Sequence, residues 1–351
     1  MSIIAEITKK AGTAFEQYAF TTPLQRANFL ETIATNIEAL GDALLEQANK
    51  ETNLPLPRLT GERGRTCFQL RMFATMLKEG NYVDASIDTA IPTKTPPKPD
   101  IRKMMHPIGP VVVFGASNFP FAYSTAGGDT ACALAAGCPV IVKAHNAHPA
   151  TSELAAQAIA AAADKTAMPA GVFTLVHARQ HAFSEALIRH PAVKAVAFTG
   201  SEQLGMHFQR LIWQRPEPIP FFAEMGSQNP LFVLPQYLAQ HGDSFASQLA
   251  QSVLNGCGQF CTRPALVFLP KEAQAVKAQL IALFSQAQAG AMLTAKIASH
   301  YRNGCQVLQQ TSGVNLLAQG QGEETGCYTR ARLFATSANA SGARSFINCM
   351  K

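Results

Sequence analysis

The sequence predicts an α/β protein in two parts: a doubly wound parallel sheet covered by helices, followed by a second, smaller α/β unit. Between Val111 and Phe198, short apolar runs alternate with alanine-rich stretches of helical length. A proline- and lysine-rich segment, Ala90 to Pro107, separates this region from a start that reads as helices alone. Beyond Pro230 a shorter set of strand and helix patterns begins.

Each element has its own signal. In residues 1–80, Phe29, Ile33 and Ile37 recur at helical spacing, and Gly41 breaks the run before Leu44 and Leu45 resume it. The segment IPTKTPPKPDIRKMMHP cannot be a helix and suits an exposed connector or edge hairpin. Val111 to Phe114 then reads as a strand, Tyr123 to Ala136 as a helix, Val140 to Lys143 as a strand and Thr151 to Ala163 as a helix. Val172 to Val176, Phe183 to Arg189 and Val193 to Phe198 repeat the cycle. In the second unit the expected elements are strand Leu231 to Leu234, helix Ser244 to Leu254, strand Ala265 to Leu269 and helix Glu272 to Gln286. Ligands of an open parallel sheet bind beyond the carboxyl ends of its strands, so the loops after Phe114, Lys143 and Phe198 are where chemistry is expected.

Composition narrows the class. The 351 residues are 47% hydrophobic and 15% charged, a balance that builds packed cores in two domains. The net charge of +6 is spread along the chain without a basic run, which argues against nucleic acid and for a mild attraction to anionic ligands. The start, MSIIAEITKK, lacks a signal-peptide pattern, and the most apolar later stretch, Ala131 to Val142, is too short to span a bilayer. A cytoplasmic protein without a membrane partner is expected, and its eight cysteines, which follow no regular spacing, are expected to be reduced.

Four segments carry chemistry. NGCGQFCT, Asn255 to Thr262, is a glycine-broken loop holding Cys257 and Cys261; glycines beside a cysteine let backbone N–H groups approach a bound group, as a thiolate nucleophile and its oxyanion require. No second Cys/His pair at ligand spacing accompanies it, so no metal is expected. In FFAEMGSQNP, Phe221 to Pro230, Glu224 is the lone carboxylate of an apolar strand; desolvation there would raise its pKa and suit a general base, although a structural ion pair is the plainer reading. In FGASNFPF, Phe114 to Phe121, the Asn118 amide is placed either to cap a turn or to donate to an oxyanion. In AFTGSEQLG, Ala197 to Gly205, a strand meets a helix start, whose free N–H groups favour phosphate.

Taken in order, HPIGPVVVFGASNFPF, VIVKAH, VAFTGS, EMGSQNP and GQFCT resemble the aldehyde dehydrogenase superfamily. GQFCT, VKAH and the upstream GERGRT and QLR segments look most like its NADP-linked 2,5-dioxovalerate (α-ketoglutarate semialdehyde) dehydrogenases, with fatty aldehyde dehydrogenases as near relatives. The resemblance implies a Rossmann-like cofactor domain and a catalytic domain. Residues 1–89 would be the helical part of the former, 90–107 a connector and oligomerisation hairpin, 108–225 the NAD(P)-binding domain and 226–351 the catalytic domain. Cys261 matches the nucleophile, Asn118 the oxyanion donor and Glu224 the base that activates water. Phe114, Lys143, His145, Asn146, Gly200 and Ser201 fall on the cofactor side, and Phe119 matches an aromatic of the substrate tunnel. Arg65 falls near the substrate entrance, either to pair with a substrate carboxylate or as an exposed helix arginine. NAD-preferring members carry a glutamate three residues after the lysine; with Asn146 there, NADP is the expected cofactor.

The sequence also departs from the family. HARQHAF follows Val176 where glycines face the cofactor in relatives. The family's Glu-x-Phe-Gly-Pro motif and final oligomerisation strand do not occur, and the tail after Thr336 lacks the apolar pattern expected there, so a truncated catalytic domain is expected. The partners implied are a small aldehyde and, through the strand not seen here, further copies of the chain. Two other readings compete: a catalytically silent remnant that binds nucleotide, and a cysteine acyl-transfer or thioester-hydrolysing enzyme that moves no hydride.

Overall fold

The computed structural model describes residues 3–337, and these pack into two compact units. The first runs to Glu51 and again from Pro55 to Met225; the second takes Thr52–Leu54 and the chain from Gly226 onward.

The first unit opens with helices α1 (Ile3–Tyr18), α2 (Pro23–Ala39), α3 (Gly41–Thr52) and α4 (Leu56–Glu79). Thr22 and Gln25 form a reciprocal capping box at the start of α2, with Pro23 in the first turn where its missing N–H costs nothing. Gly80 ends α4 in the left-handed conformation, φ +80°. The proline-rich segment lies within an exposed antiparallel hairpin of β1 (Ser86–Asp88) and β2 (Ile101–Lys103).

The alternation then begins: β3 (Val111–Phe114), α5 (Gly128–Ala135), β4 (Val140–Lys143), α6 (Pro149–Lys165), β5 (Phe173–Val176), α7 (His181–Arg189), β6 (Ala195–Thr199), α8 (Glu202–Trp213) and β7 (Phe221–Glu224). The five strands form a parallel sheet in the order β5-β4-β3-β6-β7. Val112, Phe114, Ile141, Val196 and Phe198 pack on one face with Ile7 of α1, Leu187 and Ile188 of α7, and Phe208, Leu211 and Ile212 of α8. Val111, Val113, Val140 and Val142 point the other way and are equally buried, which explains why these strands are continuous apolar runs. Glu51 closes the start of α6, its carboxylate accepting from the Ala150 and Thr151 amides at 2.9 Å each.

Strands β3 and β4 fall where the sequence predicts them. The helix expected from Tyr123 begins only at Gly128. The preceding residues are held in turns, with Ala116 N donating to Tyr123 O at 2.8 Å and Gly128 N to Ala122 O at 3.0 Å. Gly127 is required in that turn, because a Cβ there would sit 2.4 Å from the Ala122 carbonyl oxygen.

The second unit contains β8 (Leu231–Phe232), α9 (Pro235–Leu254), β9 (Val267–Phe268), α10 (Gln274–Gln286), β10 (Gly290–Ala291), α11 (Ala295–Gln310), β11 (Asn315–Gln319), β12 (Tyr328–Thr329) and β13 (Arg332–Ala335). Its core joins Val233, just after β8, with Phe245 and Leu249 of α9 and Val276, Leu280 and Phe284 of α10. Helix α9 starts at Pro235 rather than Ser244, because a proline in the first turn opens a helix rather than breaking one. The tail after Thr336, read as lacking an apolar pattern, lies from residue 338 onward outside the described residues.

Candidate active site

The carboxyl ends of the first unit's strands lie in register. Phe114 pairs with Lys143 on one side and Phe198 on the other, Lys143 with Val176, and Thr199 with Glu224. Five segments therefore leave the sheet at one level.

After β4, Lys143 Nζ donates to Asn146 Oδ1 at 3.2 Å, and burial pulls the ammonium below its usual range. His145 and His148 stack with ring centroids 5.4 Å apart. His148 is fully buried, its Nε2 donating to the Ala116 carbonyl at 2.9 Å. Burial, then the neighbouring His148 and Lys143, lowers the His145 pKa to about 3. His145 is thus neutral at physiological pH and supplies no charge to a phosphate. A cavity of about 320 Å³ opens beside this loop, lined by Asn146, Pro149, His177, Ala178 and Arg179. His177 and Arg179 belong to the HARQHAF turn, which reads only as a misfit in the sequence. Lys143, Asn146 and Arg179 are a donor set suited to a phosphorylated nucleotide.

After β6, Gly200 N donates to Glu224 O at 3.0 Å, and Ser201 caps α8 through its hydroxyl, which accepts from the Leu204 amide at 3.4 Å. The first-turn N–H groups of α8 are those that favour phosphate.

The loop after β3 carries Asn118 and is held from α4. Arg58 Nη2 donates to the Asn118 carbonyl at 2.6 Å, and its guanidinium lies 5.1 Å from the centre of the Phe119 ring. Phe119 packs edge-on against Tyr123 at 5.1 Å. Arg65 stacks over Tyr123 at 5.0 Å and donates to its hydroxyl at 2.7 Å, so this exposed guanidinium has an aromatic platform. Glu62 accepts from the Phe121 and Ala122 amides at 2.8 and 3.0 Å. Nothing in the sequence pairs Arg58 and Glu62 with the loop after β3, since charges in a Lys- and Arg-bearing helix normally face water.

Glu224 corrects an expectation. It is exposed rather than desolvated, as are Phe222 and Ala223 beside it. The reason is topological: β7 is an edge strand, paired on one side only.

Cys261 belongs to the second unit and is partly buried. Its carbonyl accepts from Asn229 Nδ2 at 2.6 Å and from the Ser227 hydroxyl, and Asn229 Nδ2 also donates to Arg263 O at 3.0 Å. The SQNP and FCT motifs are thereby pinned to each other. Gly256, Cys257 and Gly258 all have positive φ in the turn before it. Cys257 is built into the packing: its Sγ donates to Ala291 O at 3.5 Å, a Cβ on Gly290 would lie 2.3 Å from it, and burial pushes the thiol up. Among the described residues the cysteines are free, no three His, Cys, Asp or Glu side chains gather to hold a metal, and no helix is long and apolar enough to cross a membrane. Asn118 and Glu224 thus sit on one unit and Cys261 on the other.

One unit is a doubly wound α/β sheet of the nucleotide-binding type, and the other is a smaller α/β unit with a glycine-framed cysteine. Residues 2–341 match the profile of the aldehyde dehydrogenase family, and the chain belongs to that family, as its motifs predict. It is 50% identical over 333 residues to alpha-ketoglutaric semialdehyde dehydrogenase 2 of Azospirillum brasilense. It is 44% identical over 335 residues to the alpha-ketoglutaric semialdehyde dehydrogenase of Acinetobacter baylyi. Each match covers 94% of this chain, which spans 63% of the length of either relative. The crystal structure of a salicylaldehyde dehydrogenase from Pseudomonas putida G7 shares the fold, with a TM-score of 0.80 at 17% identity over 96% of this chain and 68% of that one.

Proposed function

We propose that the chain carries the machinery of an α-ketoglutarate semialdehyde dehydrogenase, oxidising that aldehyde to 2-oxoglutarate on Cys261 with NADP. The observation that carries this reading is the 50% identity to a relative of that name across 94% of the chain. The Cys261 thiolate adds to the aldehyde carbon and makes a thiohemiacetal alkoxide. The resemblance assigns the donors to that oxyanion to the Asn118 side-chain amide and the Cys261 backbone N–H. When bound, the nicotinamide supplies the hydride acceptor. Loss of hydride from the former aldehyde carbon leaves a thioester on Cys261. Glu224 takes a proton from the water that attacks it, and the acid leaves as the thiol is restored.

The NADP preference rests on the absence of a carboxylate at position 146 and on the cavity that Asn146 shares with His177 and Arg179. An acid at 146 would repel a 2′-phosphate, whereas Lys143 and Arg179 attract one. The substrate's distal carboxylate is assigned to Arg65, whose guanidinium is exposed on the Tyr123 ring. The test is reduction of NADP and NAD by the purified chain, given α-ketoglutarate semialdehyde and, separately, a long-chain aldehyde. Turnover with the semialdehyde and NADP is the expected result. A folded chain that binds nucleotide without turnover would be the silent remnant instead.

A further inference from the structure

Helix α4 grips the loop that carries Asn118 at both ends. Arg58, one turn before Glu62 on the same helix, donates to the Asn118 carbonyl at 2.6 Å. Glu62 Oε1 accepts from two consecutive amides, Phe121 at 2.8 Å and Ala122 at 3.0 Å. Together they fix the peptide planes on either side of Phe119 and Pro120, and hence the direction in which the Asn118 side chain leaves the backbone. The Ala116 carbonyl, two residues before Asn118, is held by His148 Nε2 at 2.9 Å.

Stability alone does not account for this carboxylate. Glu62 is only 6% exposed, its Oε2 has no hydrogen-bond partner among the described residues, and burial pushes its pKa up despite the two amides and the nearby Arg58 and Arg65. A charge that remains costly after pairing is retained more readily for what it orients than for what it stabilises.

We propose that Glu62 and Arg58 are positioning residues for Asn118, holding its loop in the conformation that the oxyanion step uses. The inference rests on the dehydrogenase reading above. An oxyanion donor contributes on the order of 10²–10³ in rate, so mis-aiming it loses about tenfold of that.

The test is a cycle of the full chain with Glu62→Leu, Asn118→Ala and both, following turnover of α-ketoglutarate semialdehyde. Nucleotide binding is measured on each variant by fluorescence as a check on folding. Glu62→Leu is expected to lower kcat about tenfold with the NADP KM unchanged, and to lose little further rate in the Asn118→Ala background. Glu62→Gln, which keeps an acceptor for both amides, restores most of the rate. If Glu62→Leu does not fold, Arg58→Met carries the same cycle. Additive losses overturn the inference alone. An inactive wild-type chain, or an Asn118→Ala chain as active as wild type, overturns the dehydrogenase reading and takes the inference with it.

Discussion

Lys143 Nζ donates to Asn146 Oδ1 at 3.2 Å, closing the loop after β4 beside the cavity that Arg179 also lines. The contact is neutral on the Asn146 side, so Lys143 keeps its charge available to an incoming anion.

Asn146→Glu is therefore expected to shift nucleotide choice. The new carboxylate would hold Lys143 as an ion pair and face any 2′-phosphate, lowering kcat/KM for NADP about tenfold relative to NAD. Arg179→Ala is expected to raise the NADP KM by a similar factor and to leave NAD kinetics unchanged. Initial rates with both nucleotides check each outcome, and a common loss for both would remove the cavity from cofactor selection.

Cys261→Ala is expected to abolish dehydrogenase turnover and hydrolysis of a nitrophenyl ester alike, because both pass through an acylated sulfur. Cys257→Ala, whose target thiol is packed on Gly290, is expected to lower stability with kcat within about threefold of wild type. A chain that loses activity only with Cys257 reverses the assignment.

Glu224→Gln is expected to release a first burst of NADPH and then stall as the thioester, since the substitution removes the base that deacylates it. Rapid mixing with intact-protein mass measurement detects the trapped acyl group. An unchanged steady rate would take Glu224 out of the reaction.

The stacked pair His145 and His148 predicts an acid limit. Both His145 and His148 have folded-state values held down by burial, His145 to about 3. A histidine with a depressed folded pKa contributes stability that is present above its unfolded value near 6.5 and is lost as pH falls toward the folded value. Thermal midpoints are expected to drop by several degrees between pH 6.5 and pH 4, and His145→Asn to flatten that slope. A slope unchanged by the substitution would locate the acid sensitivity elsewhere.

The strands VVVF and VIVK were legible because a strand buried on both faces is apolar throughout and bounded by turn residues. The start of α5 was not, because AYSTAGG has the small residues of a helix while backbone turn bonds and Glu62, about 60 positions earlier in the chain, hold its start out of one. Glu224 read as desolvated because local apolarity does not reveal strand order, and strand order puts β7 on the edge. The catalytic-type residues were readable as motifs. The contacts that support them, Arg58 to Asn118, Arg65 to Tyr123 and Asn229 to Cys261, span long sequence separations that leave no local pattern.

The strand order also separates two kinds of choice. The residues proposed to select a nucleotide, Asn146 and Arg179, follow β4 and β5 at one side of the sheet, whereas Asn118 follows β3 and Glu224 ends β7. Because no strand supports both groups, coenzyme preference can drift under selection while the acyl chemistry stays fixed, and a swap of the loops after β4 and β5 would transplant one trait without the other.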